Sequence, residues 1–155
     1  MKIVGLGKAG CSLAQAFSKF PQYETVKIDV EKSADITIKR RATHEEYDAK
    51  FPSLKRKLKF TNEDVMLIVC GAGNVSGGVL RLLEQLQNNN VTVLYIQPDL
   101  RLLSEIQKKQ DKIVSNVLQE YARSGAIDAI WLVDNRRVEF WVGGGPIMGD
   151  YEVLN

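Results

Sequence analysis

The fold is decided by the run Met1–Val4 (MKIV) together with the glycine-rich segment Gly5–Gly10 (GLGKAG) that follows it. The apolar run is typical of a buried β-strand, and the apolar segment Leu13–Phe17 after the glycines is typical of a helix. Such a strand–glycine–helix junction lets a phosphate approach bare backbone N–H groups at a helix N-terminus, where the helix dipole favours an anion. A single junction is weak evidence, because the same glycine spacing also occurs in tight turns.

A second junction of the same kind occurs in the middle of the chain. The apolar run Val65–Cys70 (VMLIVC) leads into Gly71–Gly78 (GAGNVSGG), and a leucine-rich segment beginning at Leu80 follows. Two such junctions in one small parallel sheet predict a nucleotide whose phosphates are held from two sides.

Composition excludes several classes of protein. The 155 residues suffice for one domain, and apolar and charged fractions of 45% and 26% are those of an ordinary soluble globular protein. A formal net charge of +2 is too small to predict nucleic-acid binding. No run of about 18 apolar residues predicts a membrane span, and no cleavable leader is visible.

The few residues with reactive side chains suggest no catalytic centre of their own. The two cysteines, Cys11 and Cys70, have no metal-binding or disulfide spacing, which predicts reduced thiols and a cytoplasmic location. The single histidine, His44, lies in a polar stretch and is predicted to be solvated, without a catalytic role. We assign no metal ligands and no catalytic residue.

Short apolar runs alternate with segments of helical period, which predicts an α/β fold with a three-layer architecture and a mostly parallel sheet. Both glycine loops should lie at the carboxyl edge of this sheet and face one crevice. We expect a short strand within 34–38 and a helical turn at 43–49. The other predicted strands are 2–5, 25–29, 65–70, 91–96 and 128–133, and the helices are 10–20, 77–89 and 101–124.

An NAD(P)-binding Rossmann domain of an oxidoreductase is one alternative. Gly5, Gly7 and Gly10 fit the dinucleotide pattern, and Asp29 ends the second strand, where such folds place a ribose-binding carboxylate. A degenerate, non-catalytic nucleotide-binding module is another alternative, favoured by Asn74 and Val75. No Walker motif is present, which excludes a P-loop NTPase.

The order of motifs resembles the N-terminal GTP-binding domain of the tubulin/FtsZ family. The family's central glycine loop reads G-G-G-T-G-[ST]-G, and Gly71–Gly77 matches it at four of seven positions. Asn74 replaces the usual threonine, and Val75 replaces the fifth glycine. The segment Ala9–Cys11 is similar to the opening loop of the tubulins.

The resemblance continues toward the C-terminus with residues that would contact the ribose and base. Pro98 follows a strand where the family turns toward the ribose, and Asn135 lies in a segment whose asparagine reads guanine in the family. Tyr151 and Asn155 are similar in spacing to the stacking aromatic and the guanine-pairing residue of the family's central helix.

The resemblance implies that residues 1–155 form a GTP-binding domain taking GTP or GDP with Mg²⁺. It also implies a GTPase of cytoskeletal, filament-forming type that self-associates in a longer protein. Hydrolysis would need an acidic loop from outside this chain. We expect the chain to end within the central helix, and we expect it to bind nucleotide without appreciable turnover. The implied phosphate-binding residues are Gly7, Lys8, Ala9, Gly10, Cys11, Gly71, Ala72, Gly73, Asn74, Val75, Ser76 and Gly77.

Overall fold

Residues 1–134, which the computed structural model describes, form an α/β fold built on six strands. In the sheet the strands lie in the order β3-β2-β1-β4-β5-β6, and every pair is parallel. The predicted α/β class is therefore confirmed, with a sheet that is wholly parallel over these residues. The strands are β1 (Lys2–Leu6), β2 (Glu24–Asp29), β3 (Ile36–Thr37), β4 (Asp64–Cys70), β5 (Asn90–Gln97) and β6 (Ala129–Asp134).

Helices cover both faces of the sheet. Helix α1 packs against one face, where Leu13 and Ala14 join a core cluster with Ile3 and Ile68. The other helices pack with the larger core cluster on the opposite face. The helices are α1 (Gly7–Phe17), α2 (His44–Ala49), α3 (Val79–Gln85) and α4 (Glu105–Ser124), and short 3₁₀ helices span Asn74–Gly78 and Leu100–Leu102.

The continuous apolar runs of the central strands follow from this layering. Val65, Leu67 and Val69 of β4 belong to the larger cluster, whereas Ile68 belongs to the cluster under α1. Successive side chains of a strand point to opposite faces, so a strand buried on both faces needs apolar residues at every position.

The predicted strands, the short strand at β3 and the helical turn at α2 are all present, with differences at helix ends. Helix α1 begins at Gly7, immediately after β1, and the predicted helix 77–89 is a 3₁₀ turn followed by α3. The predicted helix 101–124 begins only at Glu105. Ser104 and Gln107 form a reciprocal capping box there, a sequence signal that could have located this N-terminus.

Helix α1 approaches the sheet closely at Gly10. A Cβ atom at this position would collide with the backbone carbonyl of Ile68 on β4. This is the close helix–strand contact that the third glycine of a dinucleotide-type loop permits. Gly7 has φ +77°, a left-handed conformation that side chains disfavour, and it turns the chain from β1 into α1.

No helix in the described part of the chain is long and apolar enough to cross a membrane. Residues 135–155, including the segment in which we expect the central helix, lie outside the described residues.

Replacing Gly10 with alanine should destabilise the fold, because backbone must move to relieve the contact with Ile68. We expect a loss of about 1–3 kcal/mol in the free energy of unfolding, as for other overpacked sites, measured by urea denaturation. Gly73→Ala is the matched control, since its φ is −79° and no atom lies within 4 Å of the added Cβ. Equal stability of the two variants would contradict this account of helix α1.

Candidate functional site

The two glycine loops line one cleft of about 740 Å³ at the carboxyl ends of β1 and β4. The predicted position of both loops is thereby confirmed, since neighbouring parallel strands end at the same edge. The volume is that of a typical small-molecule site. The cleft is lined by Leu6, Gly7, Lys8, Ala9, Ser12, Asp29, Val30, Glu31, Arg40, Cys70, Gly73, Asn74, Val75 and Ser76.

Backbone N–H groups of two helical turns are available at this cleft. Neither α1 at its N-cap Leu6 nor the 3₁₀ helix at its N-cap Gly73 has a side chain that caps it. The first N–H groups of a helix have no partner within the helix, and they attract anions together with the helix dipole. Two turns that begin at one cleft suit a ligand with more than one anionic group.

Charged side chains divide the cleft into two chemically different parts. Lys8 is exposed at the first loop and makes no ion pair within residues 1–134. Arg40 pairs with Glu31 at 3.1 Å. Asp29, which is buried, accepts a hydrogen bond from the Val30 N–H at 2.8 Å. The carboxylates at the end of β2 favour hydroxyl groups, whereas Lys8 favours an anion.

Val75 lines the cleft where the resemblance expects a glycine. It lies within the 3₁₀ helix, and among the described non-glycine residues only Asn62 has a positive φ. The β-branched side chain therefore needs no left-handed backbone, and it packs partly against the larger core cluster.

Five of the predicted phosphate-binding residues do not line the cleft. Gly10 packs on β4, Gly71 lies against the Tyr95 hydroxyl, and Gly77 lies against the His44 backbone. Ala72 is buried. These residues pack against other parts of the protein, and they hold the loops in place without lining the cleft.

Cys11 is the fifth predicted phosphate-binding residue that does not line the cleft. Its Sγ lies 3.5 Å from the Gly5 carbonyl oxygen and 3.3 Å from that of Ile28, as a donor to both. Burial raises the pKa of this thiol to about 12, so Cys11 stays protonated and serves packing.

The prediction that His44 is solvated is wrong. His44 is buried with 7% exposure, because α2 packs directly against the 3₁₀ helix of the second loop. Its Nε2 lies 3.2 Å from the hydroxyl oxygen of Ser76. That hydroxyl also lies 2.9 Å from the Gly71 carbonyl oxygen and 2.6 Å from the Gly73 carbonyl oxygen.

These contacts settle the direction of the histidine bond. A serine hydroxyl has one proton, and the Ser76 proton is directed to the loop carbonyls. His44 must then donate from Nε2 to the Ser76 oxygen, so it cannot take the proton of Ser76 as a base. The pair fixes the loop and is not an activated nucleophile.

Asn74 is tied to the helix behind the loop. The Gln110 side chain on α4 donates from Nε2 to the Asn74 Oδ1 at 3.0 Å. Asn74 itself is exposed and lines the cleft.

The predicted ribose- and base-binding residues are not brought to this cleft within the described residues. Pro98 lines a second cavity of about 490 Å³ beyond β5, where the Tyr95 hydroxyl donates to the Asp111 carboxylate. Burial, followed by this hydrogen bond, raises the pKa of Tyr95 above its usual range. Asn135, Tyr151 and Asn155 lie outside the described residues.

Several residues that line or support the cleft were not predicted from the sequence. Glu31 could have been found, since it directly follows the carboxyl end of β2. Arg40 comes from the irregular segment after β3, where no periodic signal exists. Gln110 interrupts the buried stripe of α4, in which Val114 and Leu118 follow at helical spacing.

No set of three or more metal-binding side chains clusters within residues 1–134.

No protein-family model and no curated protein match this sequence. Among solved structures, the fold is similar to that of FtsZ from M. jannaschii, described as an empty dimer, with a TM-score of 0.64 and 12% identity. The match covers 99% of this chain and 50% of that chain, so the sequence spans about half the length of the FtsZ it resembles. The likeness shows that the chain shares the fold of about half of that FtsZ chain.

The buried His44 predicts a pH-dependent stability. Burial lowers its pKa from the usual value near 6.5, although Glu45 and Asp48 on α2 oppose this shift. The folded state then binds fewer protons than the unfolded state, so stability is complete above the unfolded pKa and declines as the pH falls below it. Between about pH 7.5 and pH 5.5, the free energy of unfolding should fall more for the wild type than for His44→Gln. Parallel pH curves for the two proteins would contradict the assignment.

Proposed function

We propose that this chain binds a guanine nucleotide, GTP or GDP, as the nucleotide-binding half of a tubulin/FtsZ-like GTPase. The observation that carries the proposal is the convergence of two glycine loops on one cleft, in a fold similar to FtsZ over nearly the whole chain. A likeness in fold does not by itself assign function, so the proposal depends on the chemistry of the cleft.

The two loops would hold the phosphates. Uncapped N–H groups at Gly7 and in the turn after Gly73 can donate to phosphate oxygens, and Lys8 adds a cation without an ion-pair partner within the described residues. Such preorganised donors bind an anion without reorganisation when the ligand arrives.

The base and ribose would be held by residues toward the C-terminus. We propose Pro98 for the ribose and Asn135, Tyr151 and Asn155 for the base. An asparagine side chain offers both a donor and an acceptor to the guanine edge, and a tyrosine ring offers a stacking surface at small entropic cost.

We propose that magnesium binds in this cleft together with the phosphates. Mg²⁺ is commonly held by substrate phosphates, water and one or two carboxylates. Asp29 and Glu31 place carboxylates on the cleft wall, and either could contribute oxygen ligands. When bound, the ion would neutralise charge on the β and γ phosphate oxygens.

Self-association and location are parts of the same proposal. The similar FtsZ structure is a dimer, and we propose that the longer protein likewise assembles, in filaments, with an acidic loop of one subunit completing the site of the next. Both cysteines are free thiols, which agrees with a cytoplasmic location.

A dinucleotide site is the second candidate, and one observation favours it. Asp29 lines the same cleft as Gly7 and lies at the end of β2, where an NAD-binding fold places its ribose carboxylate. The strand order is also that of the dinucleotide-binding folds. The second glycine loop on the same cleft favours the guanine nucleotide.

Calorimetry with GTP, ATP and NADH, each with and without magnesium, should separate these candidates. We expect binding of GTP that is strengthened by magnesium and is at least about tenfold tighter than that of ATP, since a mismatched base edge leaves polar groups unpaired. Tighter binding of NADH that is lost in Asp29→Ala would establish the dinucleotide site instead.

Matched lysine variants test the phosphate end of the cleft within that experiment. Lys8→Gln should lower GTP affinity about tenfold through loss of a charge-assisted contact. Lys19→Gln removes one exposed lysine just beyond the end of α1 and should change affinity less than about twofold. Equal losses of GTP affinity in the two variants would show that binding depends on net charge alone and not on the position of Lys8.

Residues 1–155 should bind GTP with little turnover. Stabilisation of developing charge and positioning of the attacking water dominate phosphoryl transfer, and we propose that the acidic loop responsible lies outside these residues. Phosphate release at steady state should stay near background and should not rise with protein concentration. A steep concentration dependence would mean that subunits of this sequence complete each other's sites.

A further inference from the structure

Gln110 occupies a position on α4 where a nonpolar residue would be expected. It is 7% exposed, and the other buried residues of this helix are Val114 and Leu118, which belong to the larger core cluster. Its Oε1 is buried without a hydrogen-bond partner within residues 1–134. Burying an unpaired amide oxygen is unfavourable, so fold stability does not account for a glutamine at this position.

The other end of this amide makes one specific bond. Gln110 Nε2 donates to Oδ1 of Asn74 at 3.0 Å, across a sequence separation of 36 residues. Asn74 begins the 3₁₀ helix of the second glycine loop and is exposed on the wall of the cleft. The buried Gln110 side chain is therefore connected to the cleft through its hydrogen bond to Asn74.

This bond determines what Asn74 can offer to a ligand. A carboxamide has an acceptor oxygen and a donor NH₂ group, and here Gln110 uses the oxygen. The Nδ2 donors remain free, since no other hydrogen bond of this side chain is formed among the described residues. Phosphate oxygens only accept hydrogen bonds, so a fixed donor is complementary to them and a freely rotating amide is less so.

We propose that Gln110 is a positioning residue that fixes the Asn74 carboxamide with its donors directed to the ligand phosphates. The proposal rests on the proposed function, because it names how one loop of that site is prepared for an anionic ligand. It also gives Asn74 a role that the family's threonine would fill differently, since a hydroxyl can rotate to donate without such a partner.

Gln110→Met is the primary variant, because methionine has nearly the same length and can pack in the same space without a donor. We expect GTP affinity, measured by calorimetry, to fall about fivefold, the range of one net hydrogen bond. At about pH 8, Gln110→Glu should lower GTP affinity further than Gln110→Met does. An ionised carboxylate only accepts hydrogen bonds, so it would bond the Asn74 NH₂ group and turn the Asn74 oxygen toward the phosphates.

A double-mutant cycle separates positioning from loss of packing. In an Asn74→Ala background, Gln110→Met should change GTP affinity less than about twofold, because no amide remains to be positioned. A loss that is equally large in both backgrounds would overturn the proposal. Gln119→Met is the control, a glutamine on the same helix that bonds Ser115 on the exposed side.

A measurement without ligand distinguishes failure of this inference from failure of the proposed function. In ¹H–¹⁵N spectra, the Asn74 side-chain amide signals should lie away from random-coil positions and move toward them in Gln110→Met, but not in Gln119→Met. Unchanged signals would overturn the positioning role. If the wild type binds no nucleotide while these signals respond as expected, the proposed function is wrong, but the positioning of Asn74 by Gln110 is supported.

Discussion

The parallel pairing of β1 with β4 is the constraint on which the rest of the structure depends. Residues from Lys2 to Leu6 pair in register with Val65 to Val69, so the two strands end at the same level. Each is followed at once by a glycine loop, and both loops therefore meet above one gap between neighbouring strands. In this strand order the gap lies where the connections reverse direction, which is where open parallel sheets bind ligands.

The close approach of α1 to the sheet depends on the same pairing. Gly10 rests on the carbonyl of Ile68, a residue of β4 and not of the strand that precedes the helix. The first loop is thus anchored to the strand that carries the second loop. A larger residue at position 10 would push α1 away and move its N-terminus relative to the opposite wall of the cleft.

The second loop is held from behind by side chains of helices far away in sequence. His44 on α2 donates to Ser76, and Gln110 on α4 donates to Asn74. Each helix contributes one buried polar side chain to one loop residue. Buried hydrogen bonds of this kind fix a single loop conformation, because breaking one leaves a buried group unpaired. The proposed phosphate binding would benefit from this rigidity, since the loop N–H groups would point to the ligand before it arrives.

The sequence by itself determined the layer architecture and the location of both loops. Two local patterns predicted these features: continuous apolar runs such as Val65–Cys70, and glycines directly after strands. Each depends on residues adjacent in sequence, so it can be recognised without the tertiary structure. It did not determine what lies around the loops. His44 was predicted to be solvated from its polar neighbours, but packing of α2 on the second loop buries it. Gln110 and Arg40 reach the site through tertiary contacts that no local pattern encodes. Gly10 lies away from the cleft because it packs on β4, and Cys11 because its thiol donates to backbone carbonyls. Burial and hydrogen-bond partners depend on distant segments of the chain, so only the tertiary structure decided which residues of the two glycine loops line the cleft.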